Sequence, residues 1–220
     1  MKYIIDKSFS FCYGHRVHNQ RLNTKFTESG NACLACRHLH GHEGLVKVFL
    51  EEDTDSTNVA DTGMVTDFKH LGWFKNFLDD TLDHKFIMDL EDPLLYNELV
   101  HYSHSFASEE DYQKSTIELV SKQVATDGTV KGVRKDKLVA HKEGFYTLDL
   151  NRLINDGTPH ENANFEKYEG IVLVDFVPTS ENLTAWLVSV VQDKMKNLSG
   201  VRVKAVEYWE TPKSHCRVEA

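Results

Sequence analysis

The 220-residue sequence has no surplus of basic charge: 25 Lys and Arg stand against 34 Asp and Glu, a formal net charge of −9. General binders of nucleic acid or of anionic membrane need a basic face, so both classes are set aside. No apolar run is long enough to span a bilayer. The stretch Met1–Asp6 lacks the apolar region of a secretion signal. The four cysteines, at 12, 33, 36 and 216, do not form a disulfide-scaffold pattern at this length. A reducing cytoplasm is therefore the expected compartment. Low-complexity tracts and internal repeats are also missing. What is present is 40% apolar residues, enough for an ordinary core in one domain or two small ones. There are also twelve histidines, which raise the prospect of metal chemistry without locating it.

The stretch Cys33-Leu34-Ala35-Cys36-Arg37-His38-Leu39-His40-Gly41-His42 locates it, together with the strand-like run that follows. Side chains alternate along a strand with period two, so His40, His42, Gly44, Val46, Val48 and Leu50 share one face. Residues 3–15 read as a first strand, with Tyr3, Ile5, Phe9, Phe11, Tyr13 and His15 on one face and Lys7 as the interruption. Residues 16–39 are polar, contain Gly30 and Asn31, and read as a loop holding Cys33 and Cys36. An antiparallel hairpin of residues 3–15 and 40–51 would bring His15 beside His40 and His42.

Asp53–Thr62 reads as a polar turn region. Asp67 is positioned to cap a helix with Leu71, Phe74, Leu78 and Leu82 at helical spacing, ending near Asp83-His84. Residues 95–170 are less regular. Within them Glu109–Val124 has helical potential, and Phe145–Leu153 strand or helix potential. Ile171–Val177 reads as a buried strand. Thr179 then caps a second helix with Leu183, Trp186, Leu187, Val190 and Val191 on one face, and Gly200 stops it. Residues 201–210 and 216–219 read as a closing strand pair. Omitting 95–170, the order of elements is ββααββ, an α+β arrangement of four strands and two helices.

Each candidate site residue has an ordinary reading beside the chemical one. His15, His40 and His42 would make a three-histidine zinc site with an open fourth position. The ordinary alternative is a pair of half-buried strand histidines. A different metal set, Cys33, Cys36, His40 and His42, would be a closed structural zinc site and would argue for a binding module. Cys36 lies beside Arg37 and His38, and cationic neighbours favour a thiolate. A loop cysteine is otherwise inert, as Cys12 and Cys216 are read to be. In Asp83-His84 the carboxylate can orient the imidazole, or the histidine can simply end a helix. Thr179, Ser180 and Glu181 are explained by capping alone. Glu210 is either a solvated acid or an acceptor of paired hydrogen bonds from a guanidine-like edge of a heterocycle.

Several pieces together resemble the family of 6-pyruvoyltetrahydropterin synthases and bacterial 6-carboxytetrahydropterin synthases. They are Phe11-Cys12-Tyr13-Gly14-His15-Arg16, Cys36–His42, Gly63-Met64-Val65-Thr66-Asp67-Phe68, Leu82-Asp83-His84, Pro178-Thr179-Ser180-Glu181-Asn182 and Glu210-Thr211, in the family's order. The resemblance covers residues 1–94 and 171–220. It leaves 95–170 as an insertion within one tunnelling-fold domain. It implies a four-stranded antiparallel sheet with two helices on one face, assembled into homo-oligomers, commonly hexamers, with active sites at subunit interfaces. It implies zinc on His15, His40 and His42, with Cys36 as proton acceptor and Asp83 and His84 as a proton relay. Glu210 would anchor the pterin and join the relay, and Thr179, Ser180 and Glu181 would line the pterin pocket. The Cys-x-x-x-His-Gly-His spacing resembles the carboxy-forming, queuosine-pathway branch, which converts 7,8-dihydroneopterin triphosphate to 6-carboxy-5,6,7,8-tetrahydropterin. The pyruvoyl-forming branch is the alternative product class.

Overall fold

The computed structural model of the chain describes residues 2–22, 25, 34–95, 138–149 and 168–220. These residues belong to two compact units. The first takes in residues 1–15, 40–85 and 178–220, and the second 16–39 and 86–177.

The first unit begins with β1 (Ile4–His15), which pairs antiparallel with β2 (His40–Glu52) from Ile4 opposite Glu51 to His15 opposite His40. The expected alternation is present. Phe9, Phe11, Tyr13 and His15 are buried while Ser8, Ser10 and Cys12 are exposed. On β2, Val46, Val48 and Leu50 are fully buried. After α1 (Asn58–Thr62), Asp67 accepts a hydrogen bond from Lys69 N at 2.8 Å and opens a 3-10 turn, Phe68–Leu71. The turn leads into α2 (Gly72–Thr81). The predicted single helix is thus two pieces, with the capping residue as expected. Phe74 of α2 meets Phe9 edge-on with ring centres 5.2 Å apart, which seats the helix on β1.

In the second unit, which takes all of β3 (Lys85–Asp89) but its first residue, β3 and β6 (Ile171–Val174) run parallel, with Phe86 opposite Ile171 and Asp89 opposite Val174. The short strands β4 (Leu138–Ala140) and β5 (Tyr146–Leu148) pair antiparallel, and β5 pairs with β6 at Tyr146 and Leu173. Met88, Leu95, Tyr168, Ile171 and Leu173 form this unit's apolar core. Arg16 reaches the fully buried Asp92 at 2.9 Å, and His18 reaches Asp89 at 2.9 Å.

The first unit resumes at Pro178. Thr179 caps α3 (Ser180–Met195), its side chain accepting from Asn182 N at 3.3 Å. Leu183, Leu187 and Val191 are buried along the helix. Gly200 follows at φ +74°, a conformation that side chains disfavour, and a Cβ there would fall 2.6 Å from Ser56 Oγ. Two strands end the chain, β7 (Val201–Thr211) and β8 (Ser214–Glu219), paired antiparallel. β2 also pairs antiparallel with β7, so this unit has the strand order β1-β2-β7-β8.

The described strands therefore number eight rather than the four expected, and they include a parallel pair. The buried strand predicted at 171–177 is present as β6 and shorter, while β3 and β4 were not expected. The turn region predicted at 53–62 contains α1. Of the segment predicted at 145–153, Tyr146–Leu148 is strand and 150–153 lie outside the described residues. The helix predicted at Glu109–Val124 lies wholly outside them, as do Gly30, Asn31 and Cys33.

Candidate metal centre

The last residue of β1 and the first and third of β2 converge because the hairpin register makes them neighbours. His15 stands opposite His40, and Tyr13 opposite His42. Each of the three imidazoles offers a nitrogen, and the three nitrogens lie within 4.8 Å of one another. The intervening Gly41 is required by the same register. A Cβ there would stand 2.9 Å from the carbonyl oxygen of Tyr13 on the facing strand.

His15 is fully buried, and its Nδ1–H donates to the carbonyl of Pro178 at 2.7 Å. A carbonyl only accepts, so the proton sits on Nδ1 and the neutral ring presents a bare Nε2. Burial pushes the His15 imidazole down to about 4. The Pro178 bond works against that fall, and the neighbouring imidazoles add to it. His42 is also held below its ordinary value by burial, against the opposing pull of Glu210. Neither His15 Nε2 nor His42 Nε2 has a hydrogen-bond partner, although both are buried. Orphaned imidazole nitrogens are costly, and neutral imidazoles with free lone pairs are what a divalent ion of the zinc type takes. The donor set therefore fits a metal.

Glu210 faces the same cluster. Its Oε1 lies 3.3 Å from His15 Nε2 and 3.7 Å from His42 Nε2, and the side chain is only 24% exposed. Tyr13 and Tyr208 pack beneath. The Tyr13 ring centre is 5.2 Å from that of His15 and 6.0 Å from that of Tyr208. Burial raises both phenols well above the ordinary range.

Asp83 and His84 touch each other, which adjacency in sequence did not guarantee. Asp83 Oδ2 lies 2.8 Å from His84 Nδ1, and Asp83 Oδ1 accepts from the backbone N–H of Cys12 at 2.7 Å. His84 N in turn donates to Cys12 O at 2.7 Å. The Cys12 N–H bond, and after it the His84 contact, hold the Asp83 carboxyl below its usual value. His84 itself is exposed and adopts φ +57°. Thr179 and Ser180 are half-buried at the start of α3, and Glu181 is exposed in its first turn.

Cys36 belongs to the second unit, in the 3-10 turn Ala35–Arg37. Its N–H donates to Gln20 Oε1 at 3.0 Å, and its carbonyl accepts from Val17 N at 2.7 Å. Arg37 donates twice to Gln20 O. Cys33, half of the thiol pair in the alternative metal set, lies outside the described residues. The sequence reading missed the Pro178 carbonyl, since a backbone acceptor leaves no mark in residue type. It placed Tyr13 on the right face without giving it a role.

Residues 4–220 match the family described as 6-pyruvoyl tetrahydropterin synthase. A curated relative, the 6-carboxy-5,6,7,8-tetrahydropterin synthase of Aquifex aeolicus, is 37% identical over 103 residues. That match spans 45% of this chain and 60% of the relative's length. A crystal structure of an uncharacterized protein from Wolinella succinogenes is 40% identical, with a TM-score of 0.74 over 100% of this chain and 98% of that one. The described sheet, its helices and the three-histidine cluster all lie within the matched span. The chain belongs to the 6-pyruvoyl tetrahydropterin synthase family.

Proposed function

We propose that the protein is a zinc-dependent 6-carboxytetrahydropterin synthase. It would convert 7,8-dihydroneopterin triphosphate to 6-carboxy-5,6,7,8-tetrahydropterin, releasing triphosphate and acetaldehyde, as a step toward queuosine and other 7-deazapurines. The observation that carries the reading is the convergence of His15, His40 and His42, two of them with buried unpartnered Nε2 atoms, in a chain of this family. The Aquifex relative's name and the Cys36–His40 spacing favour the carboxy product. The family's description favours the pyruvoyl product as the second reading.

His15, His40 and His42 would hold the zinc, which when bound supplies Lewis acidity toward substrate oxygens. The Pro178 carbonyl keeps the His15 ring in the tautomer that leaves Nε2 free. Cys36 takes and returns the side-chain protons in this reading. Four steps of chain link it to His40, so its backbone is tethered within about 14 Å of that ligand's. Asp83 fixes the His84 ring through Nδ1, which suits a relay. Thr179, Ser180 and Glu181 line the pterin pocket, and Glu210 anchors the ring or joins the relay. The strand and helix order of the first unit supports a tunnelling fold with 95–170 inserted. No strand lies beyond β8 among the described residues, and an uncovered edge favours pairing with another copy. A homo-oligomer, with a hexamer favoured, follows from the resemblance. Among the described residues no helix is long and apolar enough to cross a membrane.

Incubating the zinc-loaded protein with dihydroneopterin triphosphate and identifying the products by mass spectrometry tests the reading. The 6-carboxy product with acetaldehyde is expected. A 6-pyruvoyl product transfers the protein to the other branch, and no turnover of this substrate overturns both.

A further inference from the structure

We propose that Glu210 is a fourth, displaceable ligand of the metal, closing the site until a substrate oxygen takes its place. The inference rests on the three-histidine metal reading above.

Glu210 Oε1 stands 3.3 Å from His15 Nε2 and 3.7 Å from His42 Nε2, yet neither nitrogen makes a hydrogen bond. The His15 ring has its proton on Nδ1, committed to Pro178. The facing atoms are therefore a carboxylate oxygen and a nitrogen lone pair, both acceptors. Two acceptors at that separation repel unless a cation sits where their lone pairs converge. The 3.3 Å separation from His15 Nε2 matches such a cation, and the 3.7 Å separation from His42 Nε2 is a few tenths of an ångström longer. Bonds of about 2.0–2.1 Å to nitrogen and oxygen give a tetrahedral site edges of about 3.3–3.4 Å between ligand atoms.

The strand geometry aims Glu210 at this point. The β7–β8 register shifts between Trp209, opposite His215, and Thr211, opposite Ser214, leaving Glu210 as the residue without a cross-strand mate. Such a bulge redirects a side chain, and bulges are enriched beside active sites. Among the described residues no Lys or Arg pairs with Glu210, whose side chain is only 24% exposed. In this arrangement the resting site is complete without substrate. Displacement by a substrate oxygen then releases the carboxylate for the anchoring or relay role, so a single residue serves the metal first and the substrate afterwards.

Cobalt(II) titration of metal-free protein tests this through visible absorption and affinity, using wild type, Glu210→Gln, Glu210→Ala and His42→Ala. Wild type should bind one cobalt ion. At saturation Glu210→Ala should show displaced visible bands and an affinity at least about tenfold lower. Added acetate should move its bands back toward those of wild type. The near-isosteric Glu210→Gln should also shift the bands, which guards against a folding defect in the alanine variant. Wild-type bands in both Glu210 variants overturn the ligand role, whatever their affinity, while leaving the three-histidine site intact. Failure of wild type to bind cobalt, or full binding by His42→Ala, overturns the metal reading itself and this proposal with it.

Discussion

The carbonyl of Pro178 receives the Nδ1–H of His15 at 2.7 Å, across 163 positions of sequence. That bond ties the entry of α3 to the end of β1. It also sets which nitrogen of a fully buried imidazole is free.

This buried histidine should make the metal-free protein sensitive to acid. Its folded value is about 4, against an ordinary value of about 6.5 in the unfolded chain. Between the two, only the unfolded state binds the proton, so stability rises with pH across that window and falls as pH drops through it. The loss between pH 7 and pH 5 should be about 2 kcal/mol, with none added below the folded value. Denaturant titrations of metal-free wild type and His15→Gln at the two pH values check it. The stability lost between the two pH values should be smaller by about 2 kcal/mol in the variant, the remainder coming from groups such as His42, and an equal loss in both proteins contradicts the assignment.

His40→Ala and His42→Ala should each lose stoichiometric zinc. Metal analysis after dialysis against modest zinc concentrations measures this. Full zinc content in either variant would mean that the ion is held elsewhere.

Cys36→Ala should lower turnover by at least about a hundredfold, the scale of a lost proton-transfer group, with zinc content unchanged. Cys33→Ala should keep most of its activity. Steady-state rates at matched zinc loading decide the matter, and a reversed pattern would move the thiol's role to Cys33.

Gly41→Ala should destabilise the protein by about 1–3 kcal/mol, the usual range for an added carbon where there is no room. The new Cβ would meet the Tyr13 carbonyl at 2.9 Å, and backbone cannot swing aside as a side chain does. Zinc affinity should fall as well, because both flanking residues are candidate ligands. Thermal denaturation and a zinc competition titration report the two effects. An unchanged melting temperature with unchanged affinity would show that the strands part freely.

The pieces legible in the sequence were those in which one face is wet and one dry. The alternation from Phe9 to His15 and from His42 to Leu50 marked β1, β2 and the faces their histidines occupy. The caps Asp67 and Thr179 marked the helix starts. β3 gave no such signal because Ile87, Met88 and Asp89 are all buried, and strands of a parallel pair read as short runs without alternation. β4 and β5 are three residues each, too short for any period to register. At the site, the three histidines could be grouped from hairpin logic alone. Glu210 shares the face of the buried Tyr208 two positions before it, but that face could be tied to the histidines only through the pairing of β7 with β2, which spacing within one strand does not reveal.

The pairing of His15 with His40 has a consequence for the chain between them. The ladder, not the span, brings the two ends of residues 16–39 side by side, so the register of the three imidazoles is set by β1 and β2 alone. The start of the span is committed elsewhere, since Arg16 and His18 are paired with Asp92 and Asp89 in the second unit. On the proposed reading the thiol of Cys36 and the metal ligands therefore belong to different parts of the chain, and a substitution in one leaves the register of the other alone.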